Sequence, residues 1–187
     1  MAEDSGQVSV IVVGGAAKGV GKTSLICGVL AALPELHWTV VKVTSHAHRG
    51  TPLWEEFTPG QNADTERYLA AGAKRALLAE LSEPDWSVSP LRIALQDDVH
   101  VLFESNRILA QVRPNVCIGV LGEWDEPVKS SFYPVLETAH ALVCGASANA
   151  ERITMRNDIP LFRLSSFQEI SLEMLTWLRA RLNPLVR

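Results

Sequence analysis

The chain has 187 residues, 47% of them hydrophobic and 20% charged, with a net charge of -4. That is enough for one domain with a substantial core, and the composition is that of an ordinary globular protein. The acid balance gives no reason to expect nucleic acid or an anionic membrane as partner, and no apolar run reaches the roughly 18 residues of a membrane span. The start, Met1-Ala2-Glu3-Asp4, is acidic and lacks the pattern of a secretory leader, so the cytoplasm is the expected compartment.

Short runs rich in Val and Ile alternate with helix-like segments. This predicts an α/β fold with a mostly parallel sheet flanked by helices, all within a single domain over 1–187. Val8 to Val13 reads as a buried first strand, Gly14 to Gly21 as a loop, and Lys22 to Leu33 as a helix stopped by Pro34. Trp38 to Val43 is a second strand. Thr44 to Gly60 has no apolar period and reads as a long loop of the kind that often carries function. A helix from Asp64 to Ala71, a short strand from Ala76 to Leu81, a helix from Pro90 to Gln96 and a strand from Val99 to Phe103 follow. Asn115 to Leu121 is a further strand, then a loop from Gly122 to Lys129, a helix from Phe132 to Ala139, and short strands at Ala141–Cys144 and Leu161–Leu164. Ser166 with Glu169 suggests a capping box for a last helix whose apolar face is Leu172, Leu175, Leu178 and Leu182. The three cysteines, Cys27, Cys117 and Cys144, fit neither a zinc site nor a disulfide framework and read as small core hydrophobes.

A strand, a glycine-rich turn, then Lys-Thr opening a helix is the context of a phosphate-binding P-loop. Glycines let backbone N–H groups approach phosphate oxygens, and the helix start adds unpaired N–H groups and its positive dipole end. Gly19, Val20, Gly21, Lys22, Thr23 and Ser24 are therefore the candidate phosphate-binding residues. Lys22 supplies a cation for the β- and γ-phosphates and counts as a catalytic candidate; Thr23 supplies a hydroxyl for Mg²⁺. The competing reading is a chance Gly-Lys-Thr in a bend, which the flanking strand and helix argue against. The loop does not separate ATP from GTP. The usual first glycine is replaced by Ala16, with Gly14 and Gly15 just ahead as substitutes for the turn. A lysine reaching across a dimer to the partner's phosphate would fall at Ala17; Lys18 is one place late and reads as a solvated loop lysine.

A P-loop protein also wants a carboxylate near Mg²⁺ at the end of a neighbouring strand. Glu104 is that candidate, either as a metal ligand or as the holder of a water that ligates the metal. Asp64 is a catalytic candidate, balanced against a plain helix N-cap. Asp97 and Asp98 fall at the wrong end of their strand. His46 and His48 follow the second strand and are candidates for a metal or a phosphate. Two ligands are fewer than a metal wants, so solvated loop histidines are the plainer reading. Asn149, after the Ala141–Cys144 strand, is a candidate for contact with a purine base, against an Asn in a turn.

These motifs form an ordered series: Gly-x-Gly-Lys-Thr, then Val-Lys-Val-Thr-Ser-His-Ala-His, then Asp64-Thr65-Glu66-Arg67-Tyr68-Leu69-Ala70-Ala71-Gly72-Ala73. The series resembles the MobB-like accessory family of molybdopterin-guanine dinucleotide biosynthesis, most specifically from Val10 to Ala73. The family's Glu-Gly after the third strand is Glu104-Ser105 here, followed by an unfamiliar Asn106-Arg107, and its double histidine is split as His46-Ala47-His48. The resemblance implies a three-layer P-loop NTPase fold, GTP with Mg²⁺, slow hydrolysis, a homodimer, and a molybdopterin nucleotidyltransferase or molybdoenzyme as client. Two alternatives stand beside it. One is an ATP-dependent ligase or kinase resembling dethiobiotin synthetase; the other is a switch ATPase that dimerises on nucleotide.

Overall fold

A computed structural model of the chain describes residues 9–45, 51–81, 89–122, 128–148 and 158–182. Eight strands form one sheet: β1 (Ser9–Gly15), β2 (Thr39–Thr44), β3 (Leu53–Glu56), β4 (Arg75–Glu80), β5 (His100–Glu104), β6 (Val116–Gly122), β7 (Ala141–Gly145) and β8 (Leu161–Leu164). Their spatial order is β3-β4-β2-β5-β1-β6-β7-β8. All neighbours run parallel except β3, which lies antiparallel on β4. The helices are α1 (Lys22–Ala32), α2 (Asp64–Ala70), α3 (Ser89–Ala94), α4 (Tyr133–Thr138) and α5 (Leu172–Leu182).

The period-2 alternation of the strands divides the core into two halves. Ile11, Val13, Val40, Leu102 and Ile118 point to the face covered by α1, α2 and α5. Val12, Val41, Val101, Phe103 and Cys117 point to the face covered by α3 and α4. Both faces of the sheet are thus buried, which is why β1 and β6 read as unbroken apolar runs rather than alternating ones. Lys42 stands two residues after Val40, and Glu104 two after Leu102, so both side chains fall on the α1–α2 face. The register pairs them directly, Lys42 opposite Glu104.

Two sequence expectations need correction. The stretch Thr44 to Gly60 is not a continuous loop, because Leu53–Glu56 adds an edge strand to β4. Its signal is weak because an edge strand with two glutamates carries little apolar pattern. The last helix starts at Leu172, not near Ser166. The Ser166 hydroxyl accepts from the Gln168 N–H at 3.2 Å, a local turn, whereas Ser171 caps the helix by accepting from the Met174 N–H at 3.2 Å. Leu172 is consequently 79% exposed, whereas Leu178 and Leu182 are buried as expected, Leu175 packs against the same core, and Met174 takes the remaining place on the buried face. Burying each of these side chains contributes roughly 1.5–3 kcal/mol. The cysteines match the expectation. Cys117 and Cys144 are buried and Cys27 half-buried, all are free thiols, and burial pushes the Cys117 thiol up to about 12.

Asp98 lies, as expected, at the edge opposite Glu104. It is buried, accepts from the Thr39 hydroxyl at 2.7 Å, and takes Arg75 Nη1 at 2.5 Å. Arg75 also grips Glu55 through two 2.9 Å bonds, clamping β3 to β4. Replacing Arg75 with Gln leaves the Asp98 charge buried without its cation, and should cost about 2–3 kcal/mol in urea denaturation at neutral pH. The bond to Arg75 holds the Glu55 carboxyl below its ordinary value. The Glu55 contribution is therefore complete at neutral pH and is lost as pH falls through that lowered value. In Arg75→Gln this part of the acid dependence should flatten.

Candidate functional site

Because β1, β2, β5 and β6 are parallel, their carboxyl ends share one edge of the sheet, the edge where open α/β folds place their ligands. The Gly-rich loop lies there. β1 continues to Gly15, two residues beyond the expected end, so Gly14 and Gly15 are extended strand rather than the turn. Their need for glycine is close approach. A Cβ on Gly14 would stand 2.5 Å from Val135 and 2.9 Å from Asn106 Oδ1. The left-handed positions are Gly19 (φ 78°) and Gly21 (φ 97°). Ala16 has no positive φ; its N–H donates to Val120 C=O at 2.8 Å and its C=O accepts from Lys129 N–H at 3.0 Å. A side chain is thus tolerated where the usual motif has glycine. Gly21 also carries the Phe167 ring, which a Cβ would meet at 2.8 Å.

Lys22, Thr23 and Ser24 form the first turn of α1, and Gly21 is its N-cap with no side-chain cap bond. The helix start therefore keeps N–H groups for an anion. Burial pulls the Lys22 ammonium below its ordinary value, with Glu104 opposing and Lys42 and Lys129 adding to the effect. Lys18 is exposed.

Glu104, the last residue of β5, is buried, with its side chain 7% exposed. Its Oε2 accepts from the Thr23 hydroxyl at 2.9 Å and from the Tyr68 hydroxyl; its Oε1 lies 3.4 Å from Lys42 Nζ. Burial, and then the Glu104 charge, raise the Tyr68 phenol well above its ordinary value, so it remains a donor. Asp64 is the first residue of α2, not its N-cap, which is Ala63. Its carboxylate is free to pair with Lys42, and with Arg67 Nη1 at 3.5 Å. Burial works against the charged form, but Lys42, Thr23 and Arg67 outweigh it and hold Asp64 below its ordinary value. Arg67 Nη2 in turn donates to Ser24 Oγ at 3.2 Å.

The candidates Lys22, Thr23, Ser24, Asp64 and Glu104 thus converge on one sheet edge. Asn149, His46 and His48 lie outside the described residues. Sequence reasoning did not single out Lys42, Arg67, Tyr68, Asn106 or Phe167. Lys42 carried a signal, as the single charged side chain in the strand Thr39–Thr44. Asn106 takes the place of a strand partner at the end of β1: it accepts from Gly15 N–H at 2.7 Å and donates to Gly15 C=O at 2.9 Å. Ser105 Oγ accepts from the N–H groups of Arg107 (3.0 Å) and Ile108 (3.1 Å), capping the turn that follows.

The donor set of Thr23, Asp64 and Glu104 is all oxygen, which suits Mg²⁺ rather than a softer metal. Among the described residues no group of three or more His, Cys, Asp or Glu could hold a metal. Mg²⁺ in a P-loop site needs only one or two protein oxygens beside phosphates and water. The fit is specific at Thr23. Its hydroxyl donates to Glu104, which leaves the oxygen's lone pairs available to a cation. Glu104, already accepting two hydroxyls and facing Lys42, suits a role behind the metal better than direct ligation. Tyr68→Phe removes one of these donors and should lower stability by about 1.5–3 kcal/mol in urea denaturation; an unchanged midpoint would show that the bond is not formed.

No protein-family model matches the chain, and no curated protein matches it in sequence. Solved structures that superimpose on nearly all of it include the following two. One is the "apo" form of LpxK from Aquifex aeolicus in complex with ATP, at 17% identity and a TM-score of 0.55, covering 96% of this chain and 68% of that one. The other is a MobB protein homolog from Bacillus stearothermophilus, at 19% identity and a TM-score of 0.51, covering 94% and 98%. With its eight-stranded, mostly parallel sheet and flanking helices, the chain has the three-layer P-loop NTPase fold.

Proposed function

We propose that the chain binds the Mg²⁺ complex of a purine nucleoside triphosphate, GTP or ATP, and hydrolyses it slowly in the service of a protein client. The observation that carries the reading is the hydrogen bond from Thr23 to Glu104 directly behind a loop with left-handed Gly19 and Gly21. On this reading the N–H groups of Gly19 to Ser24 hold the phosphate oxygens, and Lys22 spans the β- and γ-phosphates. An arriving phosphate opposes the burial that lowers the Lys22 ammonium and favours its charged form. Thr23 is the protein ligand of Mg²⁺, with Glu104 orienting its hydroxyl. Mg²⁺ itself, when bound, neutralises charge on the phosphate oxygens.

Asp64 is the group that orients a water toward the γ-phosphate. Held below its ordinary value by Lys42 and Arg67, it is a weak base. Slow turnover is what is expected of an accessory or switch protein rather than a fast enzyme.

The finer reading, an accessory factor in molybdenum cofactor biosynthesis acting as a homodimer on a molybdopterin nucleotidyltransferase, rests on the motif series from Val10 to Ala73. The likeness to a MobB homolog supports the same direction at the level of fold. The kinase or ligase alternative is separated from it by turnover: a small acid substrate would stimulate ATP hydrolysis, whereas a client protein would act without one.

Calorimetric titration should give Mg²⁺-dependent binding of GTP, ATP or both to the unmodified chain. Lys22→Ala should weaken it by about 100-fold or more, the scale of losing a buried charge-assisted contact to phosphate. Binding of neither nucleotide, or unchanged binding in Lys22→Ala, would overturn the reading.

A further inference from the structure

Lys42 stands outside the phosphate loop, yet its charge is held inside the site. Its side chain is 26% exposed, and its ammonium lies between two carboxylates, paired with Asp64 Oδ2 and 3.4 Å from Glu104 Oε1. The placement is built into the sheet. β2 and β5 are parallel neighbours with Lys42 opposite Glu104, and the alternation of both strands turns the two side chains to the α1–α2 face. Asp64 closes the triangle from the first residue of α2, where Arg67 one turn later holds its other oxygen at 3.5 Å.

Lys42 and Arg67 stand against the two carboxylates, Asp64 and Glu104, and Lys22 of the loop shares the same edge. This arrangement has a consequence for a polyanion. Two carboxylates behind a phosphate site repel the phosphates, and a metal ion normally relieves the repulsion. Here an ammonium already relieves half of it. We propose that Lys42 is a built-in counter-cation of the metal–nucleotide site, competing with Mg²⁺ for the Asp64–Glu104 carboxylates and thereby setting how strongly nucleotide binding depends on the metal. The inference rests on the reading of the site as a Mg²⁺–nucleotide site.

The competition works through charge. With Lys42 in place, one carboxylate charge is offset before nucleotide arrives, so a metal-free nucleotide meets less repulsion from the pair. Without Lys42 the edge is more negative by one charge. Metal-free nucleotide is then held more weakly, and a divalent cation is drawn in more strongly. A lysine that served as a direct phosphate ligand would behave differently, because its loss would weaken the metal-bound and metal-free nucleotide alike. A lysine that merely supported the fold would lower stability and change both affinities together.

The test is the ratio of nucleotide affinity in Mg²⁺ to that in EDTA, measured by calorimetry at fixed ionic strength with GTP and with ATP. In Lys42→Met the ratio should widen by about tenfold or more, mainly through weaker metal-free binding. In Asp64→Asn, which makes the edge more positive by one charge, it should narrow. Lys42→Arg should keep the unmodified ratio. Urea denaturation of each variant identifies any that fails to fold. The opposed signs of Lys42→Met and Asp64→Asn mean that either variant alone still tests the proposal. Unchanged ratios, or ratios shifted in the same direction by both, overturn it. If the unmodified chain bound neither nucleotide, the nucleotide reading itself would fall; binding with an unmoved ratio would remove only the role of Lys42.

Discussion

The organising constraint is a single buried carboxylate. Glu104 ends β5 at the carboxyl edge of the sheet, and three elements supply its partners: Thr23 from α1, Tyr68 from α2 and Lys42 from β2. A buried carboxylate without such donors would cost several kcal/mol. The elements that carry these donors are therefore tied together by the charge they solvate. The same carboxylate fixes the orientation of the Thr23 hydroxyl, so the packing that satisfies Glu104 also prepares the loop for a cation. Fold stability and site geometry meet at one side chain.

Around that point the architecture follows from strand direction. Parallel pairing of β2, β5, β1 and β6 delivers Lys42, Glu104, the glycine loop and Gly122 to one edge. Gly122 (φ 66°) lets β6 end beneath Val20, where a Cβ would stand 3.0 Å from the valine side chain. Asn106 secures the end of β1 with two bonds to Gly15, so the loop springs from a fixed base. Asp98 and Arg75 belong to the opposite edge, where they join β5, β2, β4 and β3.

The sheet and the phosphate loop were legible in the sequence because each has a strong local signature. Buried parallel strands are continuous apolar runs, and a glycine turn opening on Lys-Thr has few other readings. Glu104 was legible as the acid at a strand end. The edge strand Leu53–Glu56 was not, since one solvent-facing strand with charged residues lacks both an apolar run and a turn pair. Nor was the start of the last helix: Ser166 and Ser171 are both residue types that cap helices, and the sequence does not say that Ser171 is the one used. The partners of Asp64 and Glu104 were hidden for another reason. Register between β2 and β5 is a long-range property, and no local pattern announces that Lys42 faces Glu104. The departure at Ala16 is explained by a backbone conformation open to any residue.

The central claim is that the loop, Thr23 and the carboxylates behind it form one metal–nucleotide site. A structure of the chain with Mg²⁺ and a non-hydrolysable triphosphate tests it most directly. The account predicts phosphate oxygens on the N–H groups of Gly19 to Ser24, the Thr23 hydroxyl on the metal, and Lys42 withdrawn from at least one of its two carboxylates. Nucleotide bound elsewhere, or phosphates in the loop with no metal at Thr23, would contradict it.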